Sequence, residues 1–338
     1  MTDEQGLLAM REHFPSLASC VHMISHSLGA MPRGARQHSE RFVDEWEQNS
    51  IRAWDDWLPE LDRLGDSIAG VLGVASGSVV ISQNVSTVHA VVASALRFSP
   101  ERPRVVYSDL NFPSVHYVWQ AQRERGAELV VVPSEDGIEV PLDRLLEAID
   151  ERTLLVPISH VLFRSSGLQD LAAIVARAHE VGAMVFVDCY QSAGVIPLAL
   201  GELGVDLACG GSVKWACAGP GAAYLYVRPD LLSRFEPGFT GWFGHARPFA
   251  FEMEMHYAEG PWRMLGGTPA IPALFTAAAG WELLGSLDIA AVRAKSLRQT
   301  RWMQQLCDER GFELRSPRED ARRGGTVCFD FEGSGAVA

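Results

Sequence analysis

Apolar residues recur along this chain in two alternating styles. Short runs rich in Val, Ile and Leu stand at 79–81, 104–107, 128–132, 154–158, 184–187, 205–209 and 222–227. Runs this short and this β-rich predict buried strands, because a strand covered on both faces has no polar side to alternate with. Between the runs, apolar residues fall at helical spacing. The pattern predicts a helix at 34–48, where Phe42, Val43 and Trp46 share a face, and helices at 61–72, 88–96, 141–149, 171–179, 271–284 and 289–310. Strand and helix alternate throughout, which predicts an α/β chain: a mostly parallel sheet with helices on both faces. After Gly311 the style changes. The stretches 312–314 and 326–331 read as strands of a small α+β C-terminal domain, and the chain reaches Ala338 before such a domain would be complete. The expected division is an N-terminal segment at 1–60, a large domain at 61–285 and the start of a small domain at 286–338.

Composition narrows the class. With 338 residues, 47% of them hydrophobic, the chain can bury a sizeable core and is not a disordered one. Its net charge of −13 argues against nucleic acid and anionic membranes as partners. No apolar run approaches the length of a membrane span, and the acidic start MTDEQGLLAMREHF does not read as a signal peptide. The six cysteines form no C-x-x-C pair or zinc-like cluster, so no metal is expected, and a reduced, cytoplasmic setting fits them.

Two residues bring in chemistry. The run Met184-Val185-Phe186-Val187 stops on Asp188, and an acid at the carboxyl end of a buried strand lies where open α/β sheets bind ligands. The next apolar stretch runs into Gly210-Gly211-Ser212-Val213-Lys214. An acid and a lysine at neighbouring strand ends suit pyridoxal 5′-phosphate: the lysine forms a Schiff base and the acid pairs with the pyridinium nitrogen. Small and apolar neighbours, Trp215 to Ala218, would desolvate the amine and keep it nucleophilic. A third feature is Asn84-Val85-Ser86-Thr87, small residues between a strand and an apolar helix. In physical terms it can cradle a phosphate, but taken alone it reads first as an ordinary N-cap.

Together these residues resemble the fold-type I, class V aminotransferase group of pyridoxal-phosphate enzymes, and within it the kynureninases. The resemblance rests on Ser159-His160-Val161-Leu162-Phe163-Arg164-Ser165-Ser166-Gly167, on Asp188-Cys189-Tyr190-Gln191-Ser192-Ala193-Gly194, and on Lys214 before Gly219-Pro220-Gly221. It extends to His26-Ser27-Leu28-Gly29, Asn111-Phe112-Pro113-Ser114, Gly241-Trp242-Phe243-Gly244-His245 and Gly266-Gly267-Thr268-Pro269. It implies the pyridoxal-phosphate-dependent transferase fold, with the N-terminal segment joining the active site and the small domain. It also implies roles. Lys214 would carry the cofactor and Asp188 would hold its ring nitrogen. Val85, Ser86, Thr87 and Ser212 would hold its phosphate, and Phe112 would stack on its ring. Gln191 and Trp242 would line the cofactor site, and His26, Ser27, Phe243 and His245 the substrate site. Thr268 would reach the phosphate of a partner subunit, so a homodimer is expected. His160 reads as a structural histidine beside the site.

Three positions depart from the kynureninase pattern: Gln191 stands for His, Val213 for Tyr and Val115 for Asp. Gln at the first of these is common elsewhere in class V. The resemblance therefore implies the cofactor more firmly than the reaction. Hydrolytic cleavage of a kynurenine-type amino acid leads. Another class V reaction, such as transamination, epimerisation or desulfuration, and a dimeric scaffold without turnover are the alternatives.

Overall fold

The structure is a computed structural model, and it describes residues 4–333. Its centre is a seven-stranded sheet in the order β1-β7-β6-β5-β4-β2-β3. The strands are β1 (Val79–Ser82), β2 (Arg104–Ser108), β3 (Glu128–Val132), β4 (Thr153–Ser159), β5 (Met184–Asp188), β6 (Leu207–Gly211) and β7 (Ala223–Val227). Neighbours from β3 to β6 run parallel, whereas β7 lies antiparallel between β6 and β1. This is the mostly parallel α/β sheet that the apolar runs imply.

The helices are α1 (Glu4–Ala9), α2 (Arg33–Asn49), α3 (Trp54–Leu72), α4 (Val85–Ala95), α5 (Pro113–Gln120), α6 (Leu142–Ala148), α7 (Leu171–Glu180), α8 (Ile271–Gly285) and α9 (Ile289–Glu309). They cover the sheet in two layers. Val185 and Val187 of β5 join a core with α3, α7 and α8, while Met184 and Phe186 join one with α4 and α5. The two-residue period of a strand sends alternate side chains to opposite faces. Continuing that period puts Asp188 on the α4 face. Its partners across the sheet are Ser159 and Cys209.

Two elements differ from expectation. Helix α3 starts at Trp54 rather than 61 and runs through Pro59, so Trp54 and Trp57 belong to its first turns. Helix α5 follows Phe112 directly, and its first residue is Pro113, whose missing N–H costs nothing at that position. After α9 a two-stranded antiparallel sheet forms from β8 (Glu313–Leu314) and β9 (Phe329–Asp330). The segment between them is stitched to the loop after β4. Leu168 N–H donates to Arg322 O (2.8 Å), Gly324 N–H to Ser166 O (2.6 Å) and Thr326 N–H to Ser166 Oγ (3.1 Å). Among the described residues no single helix is long and apolar enough to cross a membrane.

Candidate active site

A cavity of about 260 Å³ opens at the carboxyl ends of β4, β5 and β6, and Asp188 and Lys214 both line it. Asp188 is 8% exposed. The Tyr190 backbone N–H donates to its Oδ1 at 2.8 Å. Burial pushes its carboxyl above the usual range, with that hydrogen bond and then the Lys214 charge pulling partly back. Lys214 sits on a turn that closes on itself after β6. Cys217 N–H donates to Lys214 O (3.0 Å), and Ala218 N–H to Ser212 O (3.0 Å). The Ser212 hydroxyl donates to Ala222 O (2.6 Å) and accepts from Trp281 Nε1 (2.9 Å). The N-terminal segment presses on this turn. Gly29 N–H donates to Val213 O (2.8 Å), and a Cβ on Gly29 would lie 2.2 Å from Lys214 O, so only glycine fits there. The Lys214 amine forms no hydrogen bond or ion pair with another described residue. Burial lowers its pKa, and Asp188 opposes that shift.

The walls supply the rest. Asn84, Val85 and Ser86 come from the start of α4. Asn84 Oδ1 accepts from Thr87 N–H (2.8 Å), while the first N–H groups of α4, on Val85 and Ser86, have no helical partner. Such a terminus favours an anion. Phe112 and Phe163 meet edge to face, with ring centroids 5.1 Å apart. Gln191 is locked: its Nε2 donates to His26 O (3.0 Å), and its Oε1 accepts from Trp215 Nε1 (2.9 Å). Burial, then the nearby Lys214 charge, lower the His26 pKa. His160 is buried beside Asp188 and donates its backbone N–H to Asp188 O (3.0 Å). Burial, with help from Arg293, brings its pKa down to about 4, which leaves it neutral.

This donor set fits pyridoxal phosphate. A buried carboxylate has an oxygen to spare for a ring nitrogen, an unpaired amine can take an aldehyde, and a helix N-terminus can take a phosphate. The aromatic face of Phe112 stands beside them.

The structure brings together Lys214, Asp188, Gln191, Phe112, Val85 and Ser86 on one cavity, with His26 against it. The other expected site residues do not line this cavity within the one chain. Ser212 spends its hydroxyl on the turn itself. Thr87 is turned back onto Asn84, with its Oγ1 donating at 3.1 Å. Ser27 is exposed. Trp242, Phe243 and His245 are not among the cavity's lining residues: Trp242 stacks on Phe251, Phe243 is buried in the core, and His245 Nδ1 accepts from Arg247 N–H. Thr268 is exposed, with no bond to a described residue. Conversely, Ser114, Ser159, Phe163 and Tyr190 line the cavity without having been given a role there. Tyr190 had a signal, since it stands two residues after Asp188 and so returns to the same side of the sheet.

Residues 60–336 match the family model described as aminotransferase class-V. The kynureninase of Pseudomonas fluorescens is 32% identical over 343 residues, covering 97% of this chain and 81% of the relative. Among solved structures, the apo cysteine desulfurase of Thermococcus onnurineus NA1 superposes with a TM-score of 0.86 at 18% identity, over 96% of this chain and 82% of that one. A variant of the protein C-DES with glycine covalently linked to its PLP cofactor gives a TM-score of 0.86 at 22% identity, over 95% of this chain and 86% of that one. At these identities the structural likeness is one of fold.

Proposed function

The chain belongs to the class V aminotransferase family, and from that premise we propose that it cleaves a kynurenine-type amino acid by hydrolysis, with Lys214 and Asp188 as its catalytic residues. The cofactor is pyridoxal 5′-phosphate. When bound, it supplies an electron sink that stabilises negative charge on the substrate's α carbon. The observation that carries the reading is the convergence of Lys214, Asp188 and the α4 terminus on one cavity, in a chain 32% identical to a kynureninase.

This chain's residues divide the work. Asp188, starved of water, holds a proton at the ring nitrogen, because a buried carboxylate needs a cationic partner. The N–H groups of Val85 and Ser86 take the phosphate. Phe112 offers a flat face to the ring. Lys214 would hold the group and, as a poorly hydrated amine, would move protons at the substrate's α and β carbons. In the overall change, water divides across the Cβ–Cγ bond: hydroxyl goes to the carbonyl carbon and hydrogen to Cβ, giving an aromatic acid and alanine.

Incubation of the cofactor-loaded protein with kynurenine tests this. Equal amounts of anthranilate and alanine are expected. A yellow, cofactor-loaded protein that yields neither product, and instead transfers the amine or releases sulfide from cysteine, overturns the hydrolytic reading and leaves the family intact.

A further inference from the structure

Position 190 is unspecified in the motif that begins at Asp188, yet here it carries the largest side chain beside the reactive amine. Strand β5 ends at Asp188, Cys189 turns into the core, and Tyr190 comes back to the cavity. The hydroxyl end of its ring packs against the end of β6, where a Cβ on Gly211 would come within 2.4 Å of the Tyr190 Cζ and hydroxyl. Any other residue at 211 would drive the ring out, so the glycine makes room for it. The Lys214 Nζ stands 4.4 Å from the Tyr190 ring centroid and 5.6 Å from that of Phe112. Both distances fall within the range where a ring face attracts a cation.

We propose that Tyr190 is a positioning residue that seats the Lys214 nitrogen: its ring, on the floor made by Gly211, holds the amine in the cavity between itself and Phe112 and favours its positively charged form. The inference rests on Lys214 as the cofactor-linking residue. The seat answers a definite need. An amine this deep has lost water and gains no ion pair with a described residue, and among those residues its charged state is stabilised by Asp188 and by the two ring faces. Other groups facing it do not do this. The pKa of His26, from the N-terminal segment, is lowered by burial and then by Lys214 itself, which disfavours a charge there. The α4 terminus presents Asn84, Val85 and Ser86, which carry no charge. The Tyr190 phenol is pushed up to about 12 by burial and stays protonated, so it adds no negative charge of its own. What Tyr190 offers is its π face.

The test is a pH titration of the visible absorbance of the cofactor-loaded protein, which reports the proton on the Lys214 nitrogen rather than turnover. Tyr190→Phe keeps the ring and should titrate like the parent. Tyr190→Leu keeps a dry, filled site without a ring. Its midpoint should fall by about one pH unit, a roughly tenfold loss of proton affinity, the size expected for a desolvated cation–π contact. Tyr190→Met repeats the measurement with a different ringless side chain, should the leucine variant not fold. A Leu or Met variant that holds the cofactor and titrates at the parent's midpoint overturns the proposal, and so does a Phe variant that shifts as far as Leu. A parent protein with no lysine-linked band would instead defeat the reading of Lys214 itself, which keeps the two failures apart.

Discussion

The site's chemistry turns on two charges that share one cavity and do not pair. Asp188 and Lys214 each meet a desolvation cost that the other only partly offsets, with the carboxyl pushed up and the amine pushed down. A cofactor with a cationic ring nitrogen and an aldehyde answers both. Lys214→Ala is therefore expected to fold, since no described partner is lost with the amine, and to show no lysine-linked absorbance. Borohydride reduction and peptide mapping of the parent should label Lys214, and a label on Lys295 instead would refute the assignment. Asp188→Asn should retain part of the cofactor and lose most turnover, because an amide cannot hold the ring proton as a carboxylate does; full activity in that variant would end the idea. Both residues were legible in the sequence because each stands where an apolar run stops. Tyr190 had only the two-residue strand period to point to it, and the room that Gly211 makes for its ring shows in the fold alone. Trp242, His245 and Thr268 could be named from a resemblance but not located, since no periodicity says where a loop lies.

Helix α4 is the element that ties the core to the site, and His89 is its anchor. The ring packs tilted against Phe186 of β5, with ring centroids 4.3 Å apart, and its Nδ1 accepts from Trp119 Nε1 of α5 at 3.2 Å. That bond places the ring proton on Nε2, which faces Cys209 Sγ of β6 at 3.6 Å. Burial lowers the His89 pKa to about 3. The sign of the consequence follows: the unfolded chain takes up the proton near the ordinary histidine value of about 6.5, and the folded chain does not, so stability is complete above that pH and is lost as pH falls toward about 3. At about pH 5 the loss from this one group is on the order of 2 kcal/mol. Urea unfolding at about pH 7.5 and 5 should show the difference between the two conditions shrinking by about that amount in His89→Leu; an unchanged difference would show that His89 does not bear the load. The strands and most helices were readable from apolar runs alone, since burial on both faces leaves a plain signature. The boundaries that moved are local. Helix α3 starts upstream of its expected start and runs through Pro59, and α5, which the apolar pattern does not predict, begins on Pro113. At both places a proline serves a helix that the apolar pattern by itself does not extend.

Taken as one body, the chain leaves an apolar face without a cover. The segment from Phe239 to Met255 exposes Phe239, Phe249, Phe251, Met253 and Met255, with Trp242 stacked on Phe251 at 6.1 Å. An exposed run of large apolar side chains marks an association surface. Thr268 is exposed as well, and its hydroxyl has no described partner. We expect a homodimer in which this face is buried and Thr268 of one protomer reaches the phosphate site of the other. The phosphate carries close to two negative charges, and the site of one chain offers it the α4 terminus with Ser86. Val213 stands where the kynureninase pattern has a hydroxyl, and Thr87 is turned back onto Asn84, so a donor from a second chain has a place to fill. Sedimentation should give a dimer at assay concentration, and Phe251→Glu should dissociate it and release cofactor together. Thr268→Val should leave the dimer intact and weaken cofactor retention by about 1.5–3 kcal/mol, the worth of one hydrogen bond to a charged group. A monomer that holds its cofactor and turns over at the full rate would refute the shared site, because every donor it used would then have to come from one chain.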